Sequence, residues 1–580
     1  MLVAITGIPG LMVNRAVEAQ SSTKGHSATS AYERGVAAIS VGDLAKAQSE
    51  LEQAVKAAPA NADAQLALGT VLLRRGDVAG AVVHLRTATK LKPTSGQAHL
   101  ELGQALAAAG QSGEAVAELR EAAKLLPKDV EPHRALARVL SAQGRTEDAL
   151  AEAKTAVALA PQSAATHDDL GSLLAQTRQL DDAESQFRLA LQIDSQFEPA
   201  RFHLGVVQLQ RGNMADARKE LTTATESNPR DGLAYFYLGE AYQKAGDKDA
   251  ALAAYQQAAT LLPDSPMVQS KLGMMLQRTT DVEGATNAFR KVTELTPNDA
   301  DAHNNLGLAL MQRGEGQEAV QEFQTAVKLR PEDAGFRGNL GIAQMQLSNF
   351  DAAVDELQKA LTMAPNDASL HYDLGLALKL KDNLPAGIAE MKKAVQLDPQ
   401  LVDAYYTLGN TMWQQGEFPA AVDYLRKAIE LKPDYTEAYY TLGTVLKQMN
   451  QLPAAAQALR EAIRLSPQLA GAHTTLAAVL RQMGDTAGAD EENKLGEALV
   501  KQKIGLQGAT FATNSGKRLM NAGDLDNAIA QFRNAIKLAP SYAQAHYELA
   551  VALARKGDKA AAAEEFAKAA QLDPKLKPVP

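Results

Sequence analysis

Cysteine is absent from the 580 residues. That excludes a thiol nucleophile, a disulfide framework and every cysteine-based metal site. Aromatic residues are scarce, at 5% with a single tryptophan, which suits helices that meet through small side chains. Blocks of like charge are missing too. The 59 basic and 68 acidic residues give a net charge of -9. Without a basic stripe there is nothing to displace the counterions of a nucleic acid, and anionic lipid finds little to attract it. No apolar run is long enough to span a bilayer, so neither nucleic-acid binding nor stable membrane insertion is expected.

The N-terminus carries the one targeting signal. Leu2 to Val13 are mostly apolar, and Val17-Glu18-Ala19 has the small-residue spacing of a signal-peptidase site ahead of the polar stretch Gln20 to Ser27. Residues 1–27 are therefore expected to be a leader. The chain is periplasmic or secreted if that leader is a signal peptide, and cytoplasmic otherwise.

What is abundant is repetition. Prolines fall at 59, 93, 127 and 161, and again from 229 to 467, in steps of 34 with Ser195 at the one skipped place; the series resumes at Pro540 and Pro574. If this proline is position 32 of a unit, the first unit starts at Ala28. Position 8 is then Gly or Ala in all sixteen units, as in Gly35, Gly69, Gly103 and Ala137. Position 20 is Ala in all but one, where it is Gly387. Two antiparallel helices reach the short end of the usual 8–10 Å separation only through small residues. Leu at position 7 (Leu68, Leu102, Leu136, Leu170) and bulk at position 24 (Phe187, Tyr255, Phe289, Phe323) fill the space beside that contact. Glycine at position 15 (Gly76, Gly110, Gly144, Gly212) ends the first helix, and the proline ends the second. A single unit cannot bury its apolar face alone, so the units must stack.

An aromatic or His at 4, Leu-Gly at 7–8, Ala at 20, an aromatic at 24 and Pro at 32 together resemble the tetratricopeptide repeat. Tyr405-Tyr406-Thr407-Leu408-Gly409 and Tyr439-Tyr440-Thr441-Leu442-Gly443 are close matches. The resemblance implies an all-α, right-handed superhelical solenoid of about sixteen helix-turn-helix units whose first helices line a concave groove. Thirteen units occupy 28–469, a degenerate unit and a five-residue insertion occupy 470–508, two units occupy 509–576, and 577–580 is a tail. In the degenerate unit Lys501 replaces the proline, and the second helix is expected to overrun its normal end. The place is read either as a decayed repeat or as a hinge that sets the last two units apart.

No enzyme is expected. The repeats leave no segment for a catalytic domain. The metalloprotease, phosphate-loop and nucleophile-elbow motifs are all missing, so no cofactor or metal is anticipated. Seven of the ten histidines (His99, His133, His167, His303, His371, His473, His546) sit at position 4, a packing slot, too far apart for ligands that must lie about 2 Å from one ion.

The resemblance also implies that positions 2, 5, 9, 12 and 13 face the groove. Units eleven to thirteen stand out there. Position 5 is Tyr372, Tyr406 and Tyr440; position 12 is Lys379, Trp413 and Lys447. Asn410 and Gln414 fall at positions 9 and 13. Rings supply contact area at low entropic cost, and amides and cations pair with a peptide backbone. The alternative is that the three tyrosines stack on one another and stiffen the array. Asn305 and Asn339 at position 6 resemble a fragment of the asparagine ladder of O-linked N-acetylglucosamine transferase arrays. The expected function is a scaffold that binds other proteins or peptides in the groove. The second expectation is a targeting arm for an O-linked glycosyltransferase or other envelope complex with catalysis on another chain. Self-association through the uncapped C-terminal end is a further expectation.

Overall fold

The computed structural model describes residues 23–576, with side chains from Ser30 onward; most of the leader and the tail lie outside them. Among the described residues there are thirty-one α-helices and no strand. They fall into two compact bodies that divide after Pro297, with units one to eight before it and units nine to sixteen after it. No helix among the described residues is long and apolar enough to cross a membrane. The first helix, Thr23–Ser40, starts five residues ahead of Ala28, inside the segment read as leader.

The second unit shows how sequence sets each boundary. Asn61 caps helix Ala62–Arg74, its side chain accepting from the amides of Asp63 and Ala64. Gly76 then takes φ +87°, a left-handed turn that only glycine adopts without a steric cost. Asp77 caps the second helix, Val78–Leu91, which stops at Lys92 just before Pro93. Position 15 is left-handed in every unit, including the five where it is not glycine: Arg178, Thr280, Ser348, Asp382 and Asn450. Those five turns carry strain of about 1 kcal/mol or more each.

Within each pair the missing Cβ at position 8 is filled by the side chain at position 24. A Cβ on Gly171 would come within 2.7 Å of the Phe187 ring, one on Gly239 within 2.8 Å of Tyr255, and one on Gly516 within 2.6 Å of Phe532. The position-20 carbonyl comes next, as with Ala115, whose oxygen would lie 3.3 Å from a Cβ on Gly103. The small residue thus serves the bulky one directly, as a hole receives a knob. Where position 8 is Ala137 or Ala477, position 24 shrinks to Ala153 or Asn493, whereas Ala550 faces Phe566, which is only half-buried.

Between units, position 3 of each first helix enters the gap left by positions 27 and 28 of the preceding second helix. Phe336 clusters with Ala326 and Val327 in this way, and Ala64 with Ala54 and Val55. In the second body, position 3 is buried as Phe336, Leu370, Ala404, Ala438, Ala472 and Ala545. The exception is unit fifteen. The second helix of unit fourteen does not end but runs from Thr486 to Asn521 and doubles as the first helix of unit fifteen. The five inserted residues are helical and extend the rod.

Candidate functional site

The eight residues singled out in units eleven to thirteen lie on three successive first helices, Ala368–Leu380, Val402–Gln414 and Thr436–Gln448. Positions 5, 9 and 12 form one stripe at i, i+4 and i+7 on each helix. Tyr372, Tyr406, Trp413 and Tyr440 are half-buried and rest on the core of this segment. Lys379, Asn410 and Lys447 are half-buried as well, while Gln414 is exposed.

Some of these residues are brought together and others are not. The Trp413 indole donates to Gln448 Oε1 at 2.7 Å. The Tyr372 hydroxyl and Thr407 Oγ1 are 3.2 Å apart. Tyr372, Tyr406 and Tyr440 do not pair ring to ring among the described residues. Tyr406 instead lies 4.9 Å from Tyr435, whose own ring carries the Lys432 ammonium at 4.7 Å. The Tyr440 hydroxyl fills the space above Gly471. Lys379, Asn410, Gln414 and Lys447 have no hydrogen-bond or ion-pair partner among the described residues.

Most of these bonds obey a rule that the sequence reading missed. A residue at position 5 or 12 reaches the residue at position 6 or 13 of the next unit, 35 residues on. Arg134 pairs with Asp169 at 2.5 Å and His203 with Asp168 at 2.8 Å. Asn339 donates to Asn304 at 2.8 Å, and Ser141 to Gln176 at 2.9 Å. Asn339 is therefore engaged with position 5 of its neighbour. Polar residues 35 apart, such as Arg134 and Asp169 or Asn304 and Asn339, were the available signal.

The position-4 histidines have a structural task. His99, His133, His303, His371, His473 and His546 each bond by Nδ1 to a Glu at position 23 of the same unit, at 2.5–2.6 Å. Five position-4 rings, including His167, His371 and His546, also place Nε2 2.9–3.1 Å from the carbonyl of the preceding position-32 proline. Each such ring ties its two helices to the loop behind them. Arg201 with Glu220 and Arg337 with Glu356 do the same with a guanidinium. Among the described residues no three His, Cys, Asp or Glu side chains are grouped to hold a metal ion.

Two charges on helix Ala368–Leu380 are held uncomfortably. Burial lowers the Lys379 ammonium below its ordinary value. Burial, with the Asp367 carboxylate adding to it, pushes Asp373 at position 6 up to about 6. Between the ordinary carboxylate value near 4 and this raised one, the folded chain binds a proton that the unfolded chain has lost. Stability therefore falls as pH rises through that window. Asp373→Asn removes the effect. Its unfolding free energy is expected to exceed wild type at pH 7.5 by up to about 3 kcal/mol for a shift of this size, seen as a higher thermal midpoint, with the gain vanishing near pH 4. A gain that is equal at both pH values contradicts the assignment.

A tetratricopeptide repeat model matches residues 32–95, 134–196, 202–266, 271–334, 406–489 and 513–576, and a second model of the same repeat matches 72–139 and 310–378. No curated protein matches the chain. Among solved structures, the APC/C hetero-tetramer Cut9–Hcn1 is 16% identical over 79% of this chain and 99% of that one, with a TM-score of 0.39. YrrB, described as a TPR protein with an unusual peptide-binding site, is 21% identical over 32% of this chain and 96% of that one, with a TM-score of 0.29. MamA from Desulfovibrio magneticus RS-1, from residue 41 on, is 26% identical over 29% and 96%, with a TM-score of 0.27. The repeat matches cover more than half of the sequence, and the helix pairs they describe are those seen here: the chain belongs to the tetratricopeptide repeat family.

Proposed function

We propose that this protein is a non-catalytic scaffold that holds extended segments of partner proteins against the first helices of units eleven to thirteen. The supporting observation is a face on which half-buried rings alternate with polar groups that have no partner of their own. Tyr372, Tyr406, Trp413 and Tyr440 provide rigid, partly exposed area; Lys379, Asn410, Gln414 and Lys447 have free donors. A peptide laid across three units would meet rings for its side chains and amides for its backbone. The half-buried Lys379 favours an acidic group, and Asp373 a basic one, because pairing relieves the cost of each buried charge. A cleaved leader would place this activity outside the cytoplasm.

The test is affinity capture from the source organism with wild type and with the triple variant Tyr406→Ala, Trp413→Ala, Tyr440→Ala. Central aromatic anchors are worth about 2 kcal/mol each, so the variant is expected to lose partners by well over tenfold while its helical content stays intact. Recovery of the same partners in the same yield refutes the groove assignment.

A further inference from the structure

The long helix Thr486–Asn521 interrupts the stacking rule. Its N-terminal half buries Ala489 and Gly496 against the first helix of unit fourteen; a Cβ on Gly496 would come within 2.6 Å of Thr474. Its C-terminal half buries Ala509, Ala512, Gly516 and Met520 on the opposite side, toward the second helix of unit fifteen. One straight rod cannot fold back on itself. The face that unit fourteen turns to a successor and the face that unit fifteen turns to a predecessor are therefore both left open.

The residues on these faces record the opening. Position 28 is apolar or threonine in every other unit but Glu497 here. Position 3, buried in the neighbouring units, is Phe511 here and 73% exposed. Position 10, buried as Ala377, Thr411, Val445, Val479 and Ala552, is the exposed Arg518. Val500, Ile504 and Phe511 follow at i, i+4 and i+11, close to the line of Gly496 and beyond the reach of the helix that covers it; Ile504 is 63% exposed. Thr474, Glu497, Val500, Lys501 and Ile504 line a notch of about 320 Å³ at the start of this stripe.

The charge beside the stripe has one sign. From Ala498 to Gly523 there is no acidic residue, although acidic residues outnumber basic ones in the whole chain. Lys501, Lys503, Lys517 and Arg518 fall in that stretch. Lys517 is engaged by Glu548 at 3.1 Å; Lys501, Lys503 and Arg518 have no ion-pair partner among the described residues. We propose that this stripe is a second docking surface, separate from the groove, and that its occupant is an acidic amphipathic helix of another protein. The helix would lie where a further first helix would otherwise stack, its apolar side on Val500, Ile504 and Phe511 and its carboxylates on Lys501, Lys503 and Arg518. From Val500 to Arg518 the face is about 27 Å long, or five turns. A protein helix fits better than an anionic membrane, because the notch is concave and takes a side chain rather than a bilayer surface.

The probe is a fluorescent helical peptide of about five turns with Leu on one face and Glu on the other, compared with its Lys-for-Glu counterpart and with phosphatidylglycerol vesicles, all against the full chain. The Glu peptide is expected to bind, more weakly as salt is raised, and the Lys peptide and the vesicles are not. Ile504→Ser with Phe511→Ser, both at exposed positions, should weaken binding by about tenfold or more with an unchanged thermal midpoint. Lys501→Glu with Lys503→Glu should reverse the preference between the two peptides. Failure of the Glu peptide to bind, equal binding of both peptides, binding that survives the Ile504 and Phe511 changes, or vesicle association in place of peptide binding each overturns the proposal.

Discussion

Gly171→Val is expected to destabilise its repeat by about 3 kcal/mol, at the upper end of overpacking costs. Gly171 sits in the middle of helix Ala164–Gln176, where any larger residue would ordinarily be the better helix former. The Phe187 ring prevents that, since a Cβ at position 171 would lie 2.7 Å from it, and Phe187 is fully buried. The prediction includes its own control. Unit four already has Ala137 opposite Ala153, so Gly171→Ala combined with Phe187→Ala should cost less than the sum of the single changes. Urea unfolding of the four proteins measures the coupling. Strict additivity would mean that positions 8 and 24 do not compete for one volume.

Phe532→Ala is the second large effect. Phe532 is fully buried under Gly516 at the centre of the last two units. Truncating such a ring costs about 3–5 kcal/mol. A damaged repeat in the middle of the array is supported by stacked neighbours on both sides, but unit fifteen has no stacked predecessor, and arrays need about three repeats for stability. The substitution should therefore melt residues 509–576 while the units before the long helix stay folded. Limited proteolysis should yield a fragment ending within that helix, with cuts that wild type resists. A variant as resistant as wild type would show that the last two units draw stability from elsewhere.

Much of this was legible in the sequence because one physical demand recurs. A small residue at position 8, another at position 20 and a stop at position 32 leave a period that needs no structure to be seen. The partner of position 8 was less visible: glycine reads as close helix approach, whereas the volume it frees is taken by Phe187, Tyr255 or Phe532 at position 24. Side chains at positions 5 and 6 of consecutive units looked like independent groove candidates. Only the stacking shows that Arg134 meets Asp169 and Tyr372 meets Thr407. His99 and Glu118, 19 residues apart, gave no local hint of their bond, because the loop between the helices sets that distance. The overrun after Gly484 was readable from the lost proline. That the overrun becomes the first helix of the next unit, stranding Phe511 at a stacking position, was not, since no propensity marks where a helix changes its buried face.

Native-state hydrogen exchange on the full chain tests the central claim, that stacked helix pairs hold this protein together and that the stack is broken once in its second body, along the long helix. Strong protection is expected in the first helices of units eleven to fourteen, with a minimum near residues 499–508 and a separate, lower plateau for 509–576. Uniform protection from unit eleven through residue 576, rising and falling as one cooperative block, would contradict that claim.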